Sequence, residues 1–526
     1  MFYRIRGVRQ IAAIASLSLL PGCGLISAAA SGGENEIVVG TTSGPSTLDP
    51  ADAWDSSWEL FRNIYQTLLA YPVGQTEPKP DAAESCGFTD KKKRTYRCTL
   101  REGLKFSNGD PLDAAAVKFS IDRIRRINEE GGPAGLLTNL DKVQTKGDST
   151  VIFRLRQPDA TFPFVLATPA MSIVDPQAYP ADAIRRDGKI TGSGPYELKS
   201  YVDGEKAVLV KNGSYQGFAE RKNKAVTIRY FHDSASMVRA VRNKEIDATI
   251  RGLGADDIVK LQDHRTAGDI SLVEEPGMES SYLVFNPKDP VARKLPVRRA
   301  IAQLIDRDAI AHDVYKDTVD PLYSMIPQGL TGHSAGYFDE YGKPDPYKAR
   351  DILLKAGVKT PVSLTLWYAS DRYGSQTKPM FEEIKRELES SKLFRITLKH
   401  RRWNQFQEDY KHGKYAVFGR GWTPDYPDPD DFIAPFVGRQ NALGTPYDIP
   451  EITEKLLPQS RRISNRADVR EQFIKANDAI LQDARLIPLW QSKLYVATND
   501  EISGCETAFD ASMIMMVWQL SRKTSW

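Results

Sequence analysis

The sequence predicts an α/β protein whose sheets are flanked by helices. Three observations carry this expectation. Short segments of alternating apolar and polar residues recur along the chain, and segments with apolar residues at helical spacing of about 10–15 residues fall between them. No stretch repeats at a fixed period or falls to low complexity. The third is size: 526 residues, 41% hydrophobic and 26% charged, suit a globular chain of two or three domains. Nothing after Cys23 approaches 18 consecutive apolar residues, so no transmembrane helix is expected.

The elements follow in order. Glu36 to Thr41 is a short apolar strand. Leu60, Phe61, Ile64, Tyr65, Leu68 and Leu69 share one helical face. Gly87 to Arg97 is a hairpin turning near Lys91-Lys92, and Asn108-Gly109 makes a tight turn. Asp113 caps a helix whose stripe is Val117, Ile121 and Ile124. Strands follow at Val208–Lys211, at Val226–Tyr230 and near Ala248–Ile250, the last preceded by a helix near Ser236–Asn243. Val297, Ala300, Ile301, Leu304 and Ile305 form a strong helical stripe. A helix at Tyr347–Ala356 stops at Gly357, a left-handed cap. Then come a strand Val362–Tyr368, a helix Lys378–Glu389 and strands Arg395–Lys399 and Tyr415–Phe418.

The N-terminus reads as an export signal: basic residues Arg4, Arg6 and Arg9, then an apolar stretch from Ile11 to Leu20 too short to span a bilayer. Leu20-Pro21-Gly22-Cys23 then resembles a lipobox, where bacterial lipoproteins are cut and acylated on the new terminal cysteine; the other reading is an ordinary signal with an incidental cysteine. Residues Gly24 to Glu34 are small and polar, a tether of about 10 residues. Residues 1–22 hold three arginines and no acid, so the remainder carries 68 basic against 68 acidic residues. That balance argues against a general affinity for nucleic acid. An exported chain can oxidise its cysteines, and Cys86 and Cys98 sit symmetrically about the hairpin turn, as a disulfide or as two buried thiols. Cys505 is left over as a small core residue. Lys91–Arg94 is a solvated turn.

No catalytic motif appears: no Gly-x-Ser-x-Gly, no His-Glu-x-x-His, no phosphate-cradling loop. The six histidines never fall at a chelating spacing, so neither metal nor other cofactor is expected, and the chain is not read as an enzyme. Gly192-Ser193-Gly194-Pro195 is only half a dinucleotide fingerprint. The segment Gly421 to Phe432 differs. It follows a buried strand, prolines stiffen it, and Trp422, Tyr426 and its carboxylates suit a cation held against ring faces. It reads equally as an exposed acidic turn with Trp422 in the core.

Leu100-Arg101-Glu102-Gly103-Leu104-Lys105-Phe106-Ser107-Asn108-Gly109-Asp110-Pro111-Leu112 followed by Val117 closely resembles the signature of the family 5 extracellular solute-binding proteins of ABC importers, the peptide/nickel family. Leu48-Asp49-Pro50, Ile64-Tyr65, Gly192 to Tyr196, Asn212 with Tyr215, Phe285-Asn286, Val297-Arg298, Ala356-Gly357 and the Gly421–Phe432 segment extend the resemblance from about Ile37 to Leu520.

The resemblance implies a two-lobed, type II periplasmic-binding-protein-like fold with mixed sheets that closes on its ligand. It implies lobe I at 36–70, 186–285 and 489–526, an inserted subdomain at 71–185, and lobe II at 286–488, behind a signal (1–22) and tether (23–35). Chain crossings are implied near Tyr282–Phe285 and Ile487–Trp490. Asp425 would pair with a peptide's α-ammonium, with Trp422 and Tyr426 beside it and Trp54, Asp55 and Ser56 facing ligand from the other lobe. The signature around Arg101–Leu112 would be structural. The implied partners are a peptide, an ABC permease with its ATPase subunits, and the membrane through a lipid on Cys23; the protein would act as a monomer at the outer face of the cytoplasmic membrane. The alternative cargo is a nickel chelate, haem, oligosaccharide or signalling peptide.

Overall fold

The computed structural model describes residues 36–264 and 270–523. The signal, the tether and Cys23 lie outside the described residues.

The main sheet has eleven strands, and two long ones hold it together. Ile270–Phe285 and Leu486–Asn499 pair antiparallel along most of their lengths. On one side, the short Ala248–Thr249 joins them to Glu36–Thr41, Ala225–Tyr230, Lys206–Lys211 and Tyr196–Val202, in that order. On the other lie Val417–Trp422, Val362–Ala369 and Phe394–Arg401, with Val319–Pro321 added to the edge of Leu486–Asn499. The sheet is mixed, because Glu36–Thr41 and Val362–Ala369 pair parallel with neighbours reached through helices.

The hydrophobic cores divide the chain into two bodies. One core gathers residues from Ile37 to Ile250 with Val496 to Leu520, centred on Phe61, Phe106, Phe153 and Trp518. Two others, on opposite faces of the strands between Leu283 and Leu489, are built around Ile301, Phe381 and Ile384, and around Phe406, Phe418 and Phe436. The long strands pass through both bodies, and their pairing slips between Pro276 and Ser280. There Gly277 runs so close to Ser492 that a Cβ would meet its backbone oxygen at 2.6 Å.

The local chemistry read from sequence is in place. Asp113 accepts from Ala116 N at 2.8 Å and starts the helix Ala114–Ile127. Gly357 takes a φ of 66° after the helix Pro346–Lys355. The signature residues Leu104, Phe106 and Leu112 are buried in the first core, Gly109 turns with a φ of 93°, and Ser107 N donates to Gly192 O at 2.8 Å. Cys505 is buried and unbonded, and burial pushes its thiol up to about 12.

Two elements differ from expectation. The first helix spans Ser57–Ile64 and does not continue to Leu69, although Leu68 and Leu69 are buried too. It stops because Gly192-Ser193-Gly194 crosses its end: Gly194 N donates to Ile64 O at 3.0 Å, and a Cβ on Gly192 would lie 2.0 Å from that oxygen. This contact, not a nucleotide, explains the two glycines. The strand expected at Tyr415–Phe418 is Val417–Trp422, so Gly421 and Trp422 belong to the sheet and not to the loop.

A separate antiparallel sheet runs Ala83–Phe88, Thr95–Leu100, Thr150–Leu155, Leu140–Lys146. Its first hairpin turns at Lys91-Lys92, where Asp90 accepts from Arg94 N at 2.9 Å. Cys86 and Cys98 are direct cross-strand partners with Cα atoms 4.1 Å apart, and they are disulfide-bonded. Replacing both by serine is expected to lower unfolding free energy by about 2–3 kcal/mol, measured by urea denaturation.

Candidate ligand cleft

Strand Val417–Trp422 carries the chain to the junction of the two bodies. Positions 419 and 421 are glycines because bulky rings lie against the strand: a Cβ on Gly419 would meet Phe381 at 2.5 Å, and one on Gly421 would meet Tyr373 at 2.6 Å. Its even positions, Phe418, Arg420 and Trp422, face the third core and the helix Trp403–Lys411. Trp422 packs edge-on against Phe436 at 5.0 Å, and its buried indole N–H lies beside the Asp431 carboxylate outside hydrogen-bond geometry.

The following loop is buried, which corrects the reading of an exposed acidic turn. Asp428 receives two bonds from Arg466, at 2.6 and 2.9 Å, and Asp430 receives two from Arg461, at 2.9 and 2.8 Å. Asp431 accepts from Asp425 N at 2.7 Å. Three of the four carboxylates are therefore committed to shaping the loop. Asp425 is the exception. It is 5% exposed, it pairs with no cation among the described residues, and its Oδ1 accepts from the indole N–H of Trp54. Burial pushes its carboxyl up to about 7, against the opposing pull of the Trp54 and Asp431 hydrogen bonds. Burial and the neighbouring Asp425 raise Asp431 as well.

The Trp54–Asp425 bond links the first body to the second across 371 residues of sequence. Trp54, at 37% exposure, stands on the loop before the helix Ser57–Ile64. Asp49 anchors that loop from below: it holds Arg123 through bonds of 2.7 and 2.6 Å and accepts from Ala51 N and Arg185 N. Asp55 accepts from Ser57 N at 2.8 Å and Ser56 Oγ donates to Gly44 O at 2.7 Å, so both side chains serve the turn that aims Trp54. Tyr426 crosses the junction in the opposite direction, its ring 6.2 Å from Phe164 of the first core. Ala160 N also donates to Arg461 O at 2.8 Å.

Sequence reasoning missed Arg461 and Arg466, which pin the loop, and Arg420. It also missed Glu279, in the slipped segment of the long strand, where burial raises its carboxyl against the pull of Arg251 and Arg372. Only Arg420 left a trace in the sequence, as a charge between two glycines in a buried strand. Among the described residues, no group of three or more His, Cys, Asp or Glu side chains is placed to hold a metal.

Two α/β bodies meet at a junction where the buried carboxylates of Asp425 and Asp431 pair with no cation among the described residues, an arrangement suited to holding a ligand between lobes. Residues 77–444 match the bacterial extracellular solute-binding proteins, family 5, middle region, and the chain belongs to this family. Its members bind solutes outside the cytoplasm and are not enzymes. The chain is 29% identical over 487 residues to the probable D,D-dipeptide-binding periplasmic protein DdpA of Escherichia coli strain K12, covering 89% of this chain and 90% of that one. Its two-lobed fold is that of the DppA periplasmic binding protein of Helicobacter pylori, solved with the peptide STSA (TM-score 0.79, 22% identity, 93% of this chain and 98% of that one). It is equally that of AgaA from A. tumefaciens R10, solved with agropinic acid (TM-score 0.78, 21% identity, 93% and 99%).

Proposed function

We propose that this protein captures peptides between its lobes, holding the α-ammonium on Asp425, and delivers them to an ABC permease driven by ATPase subunits. The observation that carries the reading is the Asp425 carboxylate, buried at the junction with no cation paired to it among the described residues. A buried carboxylate gains most from a ligand that brings its own positive charge. The peptide-binding relatives support the same cargo class. Lobe I comprises 36–70, 186–285 and 489–526 with the inserted subdomain 71–185, and lobe II comprises 286–488. The lobes rock about the long strands, Trp54 meeting Asp425 and Tyr426 meeting Phe164 across the cleft as it closes. Trp422 lines the pocket, Asp55 and Ser56 border it, and the protein acts as a monomer tethered through acylated Cys23.

Native mass spectrometry of protein purified without unfolding tests the cargo. Peptide masses released from the complex are expected. A nickel chelate, haem or oligosaccharide in their place would overturn the reading.

A further inference from the structure

The edge of the main sheet in the second body is basic along its length. Residues 390–407 hold five lysines and arginines, one histidine and no acid. Among the described residues the strand Phe394–Arg401 pairs only with Val362–Ala369, so its other side is free. Arg395, Lys399 and Arg401 are exposed, as are Lys392, His400 and Arg402, while Phe394 and Ile396 between them are buried. Arg402 lies 3.6 Å from Asp371. Among the described residues no carboxylate stands at ion-pair distance from Lys392, Arg395, Lys399 or Arg401. The acids that border the strand engage backbone: Asp371 accepts from Trp403 N at 2.7 Å, and Glu389 accepts from Ile396 N at 2.9 Å.

Lys399 and Arg401 are drawn together rather than apart. Both lie over the ring of Trp367, at 5.4 and 5.2 Å, and that ring stacks on Tyr415 at 4.4 Å. Two like charges held over one ring repel each other, and an anion set between them relieves the repulsion. Guarding a free edge against pairing with another chain needs charge but not a single sign. The opposite edge of the sheet, Tyr196–Val202, carries one charge of each sign, Glu197 and Lys199.

The chemistry of the edge selects its partner. Protein interfaces are centred on buried aromatic or aliphatic anchors. The exposed large apolar side chains, Trp54, Val202, Phe338, Tyr347 and Leu354, all lie outside this strand. A row of cations without an apolar anchor matches a surface of anionic headgroups, which asks only for charge. Position matters as well. Val362–Ala369 runs parallel with both Phe394–Arg401 and Val417–Trp422, so Arg401 and Arg402 stand at the end of the sheet from which the Asp425 loop leaves. A membrane that holds this edge therefore lies at the cleft end of the second body.

We propose that the Phe394–Arg401 edge binds anionic lipid headgroups and so orients the tethered receptor with its cleft toward the membrane that holds the importer. Arg395, Lys399 and Arg401 make the contact, with phosphate oxygens set between the two cations over Trp367. The orienting effect rests on the lipid tether read at Cys23. Headgroup binding does not, and a chain without lipid tests it alone.

The test is co-sedimentation of the chain from Gly24 onward, which keeps every described residue and carries no lipid, with vesicles of phosphatidylcholine alone or mixed equally with phosphatidylglycerol. Binding is expected on the anionic vesicles only, and raised salt should release it. Each cation at such a surface is worth about fivefold. Arg395→Gln, Lys399→Gln and Arg401→Gln together should therefore weaken binding about a hundredfold, with the urea midpoint unchanged. Lys91→Gln with Lys92→Gln, which removes two exposed cations from the hairpin turn, should leave binding unchanged. A wild type indifferent to headgroup charge overturns the proposal without needing a variant to fold. So does a triple variant that binds like the wild type, or a hairpin variant that loses as much. Binding that appears only once the permease is reconstituted, whatever the headgroup, also overturns it and assigns the edge to an acidic protein surface.

Discussion

Replacing Asp425 by asparagine is expected to weaken binding of a peptide with a free α-ammonium by 100-fold or more while leaving its N-acetylated form unaffected. Removing one partner of a buried ion pair costs about 3–5 kcal/mol, and each 1.4 kcal/mol is about tenfold in affinity. Calorimetry with the two peptide forms reads the difference directly. The same change should not destabilise the empty protein, because asparagine keeps the acceptor for Trp54 and removes a buried charge. The sign of the pH dependence follows from the shift. With the folded carboxyl at about 7 and the unfolded one near the ordinary value of about 3.9, the folded state holds the proton more tightly. This group's contribution to stability is therefore full below about pH 4 and lost as pH rises through about 7. The Asp425→Asn change abolishes that slope. Ligand binding runs the other way, because an ammonium needs the ionised carboxylate. Below pH 7 affinity should fall by up to about tenfold per unit as a proton must first leave. Asp425→Asn should bind with no such dependence, and a wild-type affinity flat from pH 8 to pH 5.5 would remove Asp425 from the ligand contact.

How much of this was legible follows from the range of each interaction. The Asp113 cap and the Gly357 turn are decided within a few residues, and both stand where the spacing put them. The helix ending at Ile64 was misjudged because its stop is a strand of backbone 128 residues later, whose glycines carry no local sign of what they touch. The long strand Ile270–Phe285 was not among the expected strands, since it contains Pro276 and Gly277, residues that ordinarily interrupt a strand and here sit in its slipped register. In the cleft, the resemblance singled out Asp425 and Trp54, and the fold brings them into contact. Resemblance said nothing of Arg461 and Arg466, since an arginine on one segment shows no preference among the many acids of a chain until the fold brings one to it. The loop's carboxylates therefore looked like ligand groups when three of them are structural.

Asp428→Ala should be the most damaging single change in that loop. Asp428 is wholly buried and receives both bonds of a bidentate pair from Arg466, itself almost fully buried. Alanine leaves a guanidinium in the core with only the Ser460 and Ile463 carbonyls, and the expected loss of stability is about 3–5 kcal/mol. Arg466→Met should cost a similar amount, because it strands Asp428 instead. The double change should cost less than the sum of the two, since neither charge is then left unpaired. A strictly additive cycle would mean that the pair does not act as a unit. The damage should also reach the ligand. Asp428 N bonds to Tyr426 O, and the turn that Asp428 begins brings Asp431 back beneath the Asp425 backbone. Loosening Asp428 should therefore lower affinity for free and N-acetylated peptides alike, whereas Asp425→Asn should separate them. That contrast distinguishes the residue that touches the cargo from the residue that holds it in place.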